Sequence, residues 1–131
     1  MRKGILLNSE VAAVIAQMGH TDLLVISDCG LPVPNGVQRI DLALTQNIPG
    51  MVETLKVVLT ELEVEEVIIA SEMIETSPQI YRAVQELVSD IRVTVVTHEE
   101  FKGITRNAKA CIRTGECTAY ANIILKSGVT F

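Results

Sequence analysis

The residues of this chain that are best suited to proton transfer are its two histidines, His20 and His98. Histidine exchanges protons near neutral pH more readily than other side chains, so it often serves as a general acid or base. The acidic residues Asp28 and Glu72 could orient a histidine or bind a polar ligand. Together these side chains define a candidate His/Asp site, whose position depends on the elements that carry them.

Three of these side chains follow predicted strands. Asp28 comes after the continuous apolar run of residues 23–26, and His98 comes after the β-branched run of residues 93–96. Glu72 follows a third run of this kind. Ligands of open α/β sheets bind beyond the carboxyl ends of the strands, so these positions favour a role in binding.

His20 lies in a different setting, because it follows Gly19, which we expect to end a helix in the left-handed conformation. Simpler roles exist for each residue: a single loop histidine is usually solvated, and Asp28 can cap the turn that follows it. A metal site formed by His20, Asp28 and His98 is a sharper alternative. No two of them have close ligand spacing, so the sequence favours a site without metal.

Helical and strand patterns alternate along the chain. Val11, Val14, Ile15 and Met18 recur at helical spacing after the capping residue Asn8. The other predicted helices cover residues 51–62, 78–88 and 97–101, and the predicted strands cover residues 23–26, 37–44, 67–70, 93–96, 110–114 and 121–125. This alternation predicts a layered α/β fold with a largely parallel sheet, in which the last two strands form an antiparallel pair.

Length and composition limit the classes of protein that this sequence can represent. A chain of 131 residues fits one domain, which we assign to residues 1–131. The net charge of −5 and the lack of a basic cluster argue against a nucleic-acid partner. The apolar runs are too short for a membrane helix, and no signal peptide is visible. Three cysteines without C-x-x-C spacing indicate free thiols in a reducing, cytoplasmic location.

Four segments together resemble the RbsD/FucU family of sugar mutarotases, which interconvert the ring forms of aldoses. The segments are residues 18–22 (MGHTD), 25–32 (VISDCGLP), 113–116 (RTGE) and 120–129 (YANIILKSGV). They occur near both ends of the chain in the family's order, so the resemblance spans essentially the whole sequence. It implies a single-domain, three-layer αβα sandwich with a largely parallel sheet.

The resemblance also implies a role for each matching residue. His20 would be the proton donor, and Asp28, His98 and the stretch Tyr120, Ala121 and Asn122 would contact the sugar. Asp28 would either orient His20 or hold a sugar hydroxyl. Ring opening needs only proton transfer, so we expect neither a cofactor nor a metal.

Substrate and assembly follow from the same resemblance. The ribose-directed branch carries a histidine at the position of His98, whereas the fucose-directed branch tends to carry an arginine, so D-ribose is the expected aldose. An L-fucose mutarotase and a non-catalytic sugar-binding or regulatory module are the alternatives. The assembly of family members implies a homo-oligomer of stacked pentameric rings. We expect the site to be shared between two subunits; the alternative is that one domain brings both parts of the site together.

Overall fold

Six short runs rich in valine and isoleucine form one sheet. The computed structural model describes residues 1–131, and its strands are β1 (Leu23–Ser27), β2 (Gln38–Asp41), β3 (Val64–Ala70), β4 (Arg92–Val96), β5 (Ala110–Arg113) and β6 (Ile123–Ser127). Their order across the sheet is β2-β5-β1-β6-β3-β4. All neighbouring pairs are parallel except those of β6, which runs antiparallel to both β1 and β3.

Five helices connect these strands: α1 (Ser9–Gln17), α2 (Met51–Val58), α3 (Ser71–Thr76), α4 (Pro78–Leu87) and α5 (His98–Thr105). Local sequence explains where several of them begin. The Asn8 carboxamide caps α1 by accepting a hydrogen bond from the Val11 N–H at 2.9 Å. Pro78 occupies the first turn of α4, where its missing N–H costs nothing. None of these helices has the length and apolar character to cross a membrane.

The helices lie on both faces of the sheet, which confirms the three-layer αβα sandwich. Side chains of β1 alternate between two cores: Leu24 and Ile26 face the larger core with α1 to α4, and Val25 faces the smaller one. The smaller core contains Phe101 of α5 and Leu31 of the loop after β1. The two layers are therefore unequal, since α5 alone supplies the second helical layer.

The structure differs from the sequence-based expectations for the last two strands. β5 and β6 do not pair with each other, because β1 lies between them, parallel to β5 and antiparallel to β6. A central strand has two free edges, and hydrophobic periodicity does not show which neighbours will occupy them. The short helix α3, which follows β3 without a loop, was also not predicted.

The connection around His20 also differs from the expectation. Thr21, with φ of 70°, adopts the left-handed conformation that was predicted for Gly19. The helix instead ends at Met18 in an extended conformation, and the chain turns at Thr21 into β1. The Thr21 N–H donates to the Ser127 carbonyl at 2.9 Å, which fixes this turn beside the end of β6.

Candidate active site

A pocket of about 250 Å³ lies at the carboxyl-terminal edge of β1, beside the start of β6. The antiparallel pairing of these strands places Ile26 opposite Ile123, so the residues just beyond them, Asp28 and Asn122, become neighbours. The pocket is lined by Asp28, Gly30, Leu31, Pro32, His98, Tyr120 and Asn122. Four residues expected to contact a sugar therefore converge here from three separate parts of the chain.

Asp28 and Asn122 hold each other through two hydrogen bonds. The Asp28 N–H donates to Asn122 Oδ1 at 2.8 Å, and Asn122 Nδ2 donates to Asp28 Oδ2 at 3.1 Å. The other carboxylate oxygen, Asp28 Oδ1, accepts the N–H groups of Gly30 and Leu31 at 2.9 and 2.8 Å. Asp28 thus caps its turn, as expected for a structural aspartate, and also presents a fixed acceptor to the pocket.

His98 occupies the first turn of α5, directly after β4. Thr97 caps this helix by accepting a hydrogen bond from the Glu100 N–H at 3.2 Å. The Glu72 carboxylate accepts the His98 N–H, with both oxygens at 3.0 Å. Hydrogen bonds from the Ser71 hydroxyl and from the His98 N–H hold the pKa of Glu72 below its ordinary value. Glu72 is therefore a negative charge at the N-terminus of α5, which is an electrostatically favourable position. Its contact with the His98 N–H fixes the backbone of His98 at the start of this helix.

The His98 imidazole faces the pocket with an unused hydrogen-bonding atom. Its ring stacks on Phe101 at a centroid distance of 6.3 Å and meets Tyr120 edge-on at 5.0 Å. Nδ1 is buried and has no hydrogen-bond partner within the chain. A buried polar atom without a partner is costly, so this nitrogen has hydrogen-bonding capacity that the chain itself does not use.

Tyr120 reaches the pocket through an unusual backbone conformation. Its φ of 60° lies in the left-handed region, which bulky residues rarely adopt. The Tyr120 carbonyl accepts the Asn122 N–H at 2.8 Å, which closes a tight turn just before β6. Such strain persists where the surrounding structure over-determines it, and here it directs the aromatic ring against His98.

His20 lies at the opposite edge of the sheet. Its side chain is 53% exposed, and Nε2 lies 2.8 Å from Glu65 Oε2 of β3. The five residues of β1, at about 3.3 Å each, separate His20 from Asp28 by more than about 15 Å. A single chain therefore does not bring His20 to the pocket, and His20, Asp28 and His98 do not converge as metal ligands.

The segment 113–116 supports the pocket from behind. The Arg113 guanidinium pairs with Asp41 of β2 at 3.0 Å, and its Nε donates to the Cys29 carbonyl at 3.1 Å. The Thr114 hydroxyl donates to the Ser27 carbonyl at 2.7 Å. These bonds tie the loop after β1 to β2 and β5. Arg113 and Thr114, which belong to one of the segments that resemble the family, therefore have a structural role.

The chain as a whole matches one family model. The model of the RbsD / FucU transport protein family covers residues 1–130. The chain belongs to this family. Curated relatives of similar length include the D-ribose pyranases of Clostridium perfringens (54% identical) and Thermoanaerobacter pseudethanolicus (53%), each aligned over 131 residues that cover both chains completely.

Solved structures of the family agree with this fold. RbsD of Bacillus subtilis in complex with D-ribose is 46% identical, covers both chains completely and has a TM-score of 0.98. The fucose mutarotase of Streptococcus pneumoniae in complex with L-fucose is 24% identical with a TM-score of 0.79, over 95% of this chain and 94% of that one. The second structure shows a shared fold only.

The predicted site residues therefore separate into groups. Asp28, His98, Tyr120 and Asn122 line one pocket, whereas His20 is remote from it. Ala121, between Tyr120 and Asn122, is fully buried in the larger core and does not line the pocket.

Sequence reasoning missed some residues at both edges of the sheet. At the pocket, the lining includes Gly30, Leu31 and Pro32, whose proximity to Asp28 along the chain is the signal that could have found them. At the opposite edge, it missed Glu65, since nothing local in the sequence links this residue to His20.

A larger cavity of about 390 Å³ lies elsewhere, between α1 and α2. Its walls are mainly Leu6, Val11, Leu42 and Val57, which suits apolar contacts better than a sugar. Its acidic residue, Glu53, is already occupied, because its carboxylate accepts the Gly50 N–H at 2.5 Å. The smaller pocket beside Asp28 is therefore the better candidate for binding a polyhydroxylated ligand.

The three cysteines remain free thiols, as predicted. Cys29 and Cys117 lie beside the pocket with their sulfur atoms 3.6 Å apart. The hydrogen bond between these thiols raises the pKa of Cys29, which lowers its thiolate fraction near neutral pH. This environment disfavours a nucleophilic role for Cys29.

Proposed function

We propose that this protein is an isomerase, a D-ribose pyranase, which interconverts the pyranose and furanose forms of D-ribose through the open-chain aldehyde. Full-length relatives at 54% identity are named D-ribose pyranase, and the structure of Bacillus subtilis RbsD contains D-ribose. The observation that carries the proposal is the pocket lined together by Asp28, His98, Tyr120 and Asn122.

The reaction needs proton transfers and no change of oxidation state. The anomeric hydroxyl of the pyranose loses its proton, the bond between C1 and the ring oxygen breaks, and the ring oxygen gains a proton. A different hydroxyl then attacks the aldehyde, loses its proton, and the carbonyl oxygen gains one. One side chain that gives and accepts a proton near neutral pH suffices for each step, so the chemistry requires neither a cofactor nor a metal.

In this proposal the pocket binds the sugar. The Asp28 carboxylate accepts hydrogen bonds from sugar hydroxyls, since Gly30, Leu31 and Asn122 already hold it in place. His98 Nδ1 binds a further hydroxyl, and the Tyr120 ring gives the sugar an apolar surface. These groups are fixed before the ligand arrives, which reduces the entropic cost of binding.

His20 is the proposed proton donor to the ring oxygen and takes the proton back on reclosure. It cannot do this for the pocket of its own chain, because β1 separates the two. The proposed site therefore forms where two copies of the chain meet, with His20 of one copy beside the pocket of another. In this proposal Asp28 acts on the sugar, because it lines the pocket and three N–H donors fix its carboxylate there.

A homo-oligomer follows from this arrangement, and stacked pentameric rings are the proposed form. Large apolar side chains near both ends of the chain and in the loop after β2 are exposed and suited to subunit contacts. They are Ile5, Leu7, Leu44, Ile48, Val129 and Phe131. A reducing cytoplasmic location belongs to the same proposal, since three cysteines without C-x-x-C spacing suit free thiols.

NMR exchange spectroscopy on equilibrated D-ribose tests the function directly. The protein is expected to accelerate interconversion of the pyranose and furanose forms, seen as broadening of their anomeric signals and exchange between them. At the same protein concentration the L-fucose signals should change little. Faster exchange for L-fucose would assign the protein to fucose instead. Ribose binding without faster exchange would identify a sugar-binding module and defeat the proposal.

A further inference from the structure

His20 has a partner that the proposed mechanism has not yet used. Its Nε2 atom lies 2.8 Å from Glu65 Oε2, while Lys126 Nζ lies 3.6 Å from the other oxygen, Glu65 Oε1. The Glu65 side chain is 35% exposed, so solvent only partly surrounds this carboxylate. The hydrogen bond from His20 holds the pKa of Glu65 below its ordinary value, and Glu65 is therefore ionised at neutral pH.

The backbone places Glu65 in this position through an irregularity in the sheet. Between β3 and β6, Val64 pairs with Ser127 and Glu66 pairs with Lys126, so Glu65 has no partner of its own. An extra residue of this kind is a β-bulge, which redirects a side chain out of the regular alternation. Bulges of this sort are common next to active sites, where they direct a side chain, and this one directs Glu65.

Gly128, just after β6, keeps this bulge in place. A Cβ atom at Gly128 would lie 3.3 Å from Glu65 Cβ, tighter than most such contacts, and 3.4 Å from the Glu65 nitrogen. The Gly128 N–H also donates to the Glu63 carbonyl at 2.9 Å. The absence of a side chain at Gly128 therefore allows the chain to pass directly against Glu65.

The hydrogen bond also selects one form of the imidazole. An ionised carboxylate only accepts hydrogen bonds, so Nε2 of His20 must carry a proton. In the neutral ring this leaves Nδ1 as the atom with the free lone pair, and it leaves Nδ1–H as the proton to donate when the ring is charged. The arrangement thus decides which nitrogen exchanges protons with a substrate.

We propose that Glu65 is a positioning residue for His20, fixing its ring orientation and its Nε2–H tautomer so that Nδ1 performs the proton transfer. This inference rests on the proposed function, in which His20 is the proton donor. Glu65 touches His20 and not the sugar, so its effect is on catalysis through His20. We expect it to act on kcat and to leave ribose binding unchanged.

Two substitutions separate the hydrogen bond from the charge. Glu65→Gln keeps an oxygen that can accept from Nε2–H but removes the charge, whereas Glu65→Ala removes both. Glu63→Gln is the matched control, because Glu63 is an exposed glutamate nearby whose side chain makes no hydrogen bond. Circular dichroism checks that the three variants fold like the full-length wild type, and native mass spectrometry checks that they have the same oligomeric state.

At saturating ribose we expect wild type to have the fastest exchange, Glu65→Gln a slower one and Glu65→Ala the slowest. The loss in Glu65→Ala is about tenfold, the scale of one charge-assisted hydrogen bond, with KM little changed. Glu63→Gln is expected to match wild type. Wild-type rates in correctly assembled Glu65→Ala protein would overturn the proposal.

A second readout does not depend on turnover. In ¹⁵N NMR spectra of wild type, the neutral His20 ring is expected to carry its proton on Nε2, and in Glu65→Ala the two tautomers are expected to mix. A proton on Nδ1 in wild type would overturn the assignment. If wild type fails to accelerate ribose exchange, the proposed function falls, while this measurement still decides the role of Glu65.

Discussion

The two ends of strand β1, which lie at opposite sides of the sheet along the strand direction, hold their polar side chains in contrasting ways. At the carboxyl end of β1, Asn122 is 1% exposed, and Asp28 is held by three N–H donors to its carboxylate. At the other end, His20 is 53% exposed and has one partner, Glu65. A polar pocket needs rigid groups to recognise hydroxyls, whereas a proton donor needs access to the reacting atom. In the proposed mechanism each chain carries one part of each kind and holds the two parts apart.

In the proposed mechanism this separation gives a physical reason for copies of the chain to assemble. A pocket without a proton donor binds a sugar but does not open it, and a solvated histidine without a pocket has no substrate to act on. Two copies of the chain can supply both parts to one site, which is a heterologous contact between different surfaces of the same protein. Contacts of that type close into rings when the rotation between neighbours permits.

Removing His20 gives the largest expected effect. His20→Ala should lower ribose exchange by about 10²–10⁴-fold, the usual contribution of one acid–base group. Ribose affinity, measured by calorimetry, should stay near wild type, because the pocket lies at the other edge. A folded His20→Ala protein with normal exchange would remove His20 from the mechanism, and a loss of ribose binding instead would show that the two edges are not separate in role.

A change at His98 should act on the binding side. His98→Arg is expected to slow exchange of ribose by about tenfold, since a permanently charged guanidinium replaces an imidazole ring that packs against Tyr120 and Phe101. The rate for L-fucose relative to D-ribose should rise. His98→Gln, which keeps a neutral hydrogen-bonding group, is the control and should be less impaired. If His98→Arg exchanges each sugar at the same rate as wild type does, residues other than His98 determine the sugar specificity.

A matched pair of helix caps gives the smallest effect. Thr97→Ala and Asn8→Ala each remove one N-cap and should each lower the free energy of unfolding by about 1 kcal/mol. Only Thr97 caps the helix that carries His98, so only Thr97→Ala should also weaken ribose binding. Urea denaturation and calorimetry on both variants make the comparison, and equal ribose affinity in the two would show that α5 does not position the pocket.

The positions of Asp28 and His98 could be predicted from the sequence because each follows a strand directly. Strands of this type are recognisable locally, and parallel strands place their carboxyl ends at one edge of the sheet. Tyr120 and Asn122 came instead from the resemblance, since their turn has no simple local pattern. The left-handed conformation of Tyr120 depends on packing that a periodicity argument does not contain.

The relation of His20 to Glu65 could not be predicted for a different reason. It depends on β6 lying between β1 and β3, and strand order is a property of the whole sheet. The β-bulge at Glu65 depends further on register between β3 and β6. The same limit explains why β5 and β6 were wrongly expected to pair: each strand was recognisable, but its neighbours were not.

Subunit mixing tests the shared site most directly. His20→Ala and Asn122→Ala proteins, each inactive alone, are combined in equal amounts under conditions that exchange subunits, and ribose exchange is measured by NMR. If each site takes His20 from one copy and Asn122 from its neighbour, random mixing leaves about one quarter of the sites with both residues intact, so about a quarter of wild-type activity should return. No recovery in oligomers that native mass spectrometry shows to be mixed would contradict the account and place both residues of a site in one chain.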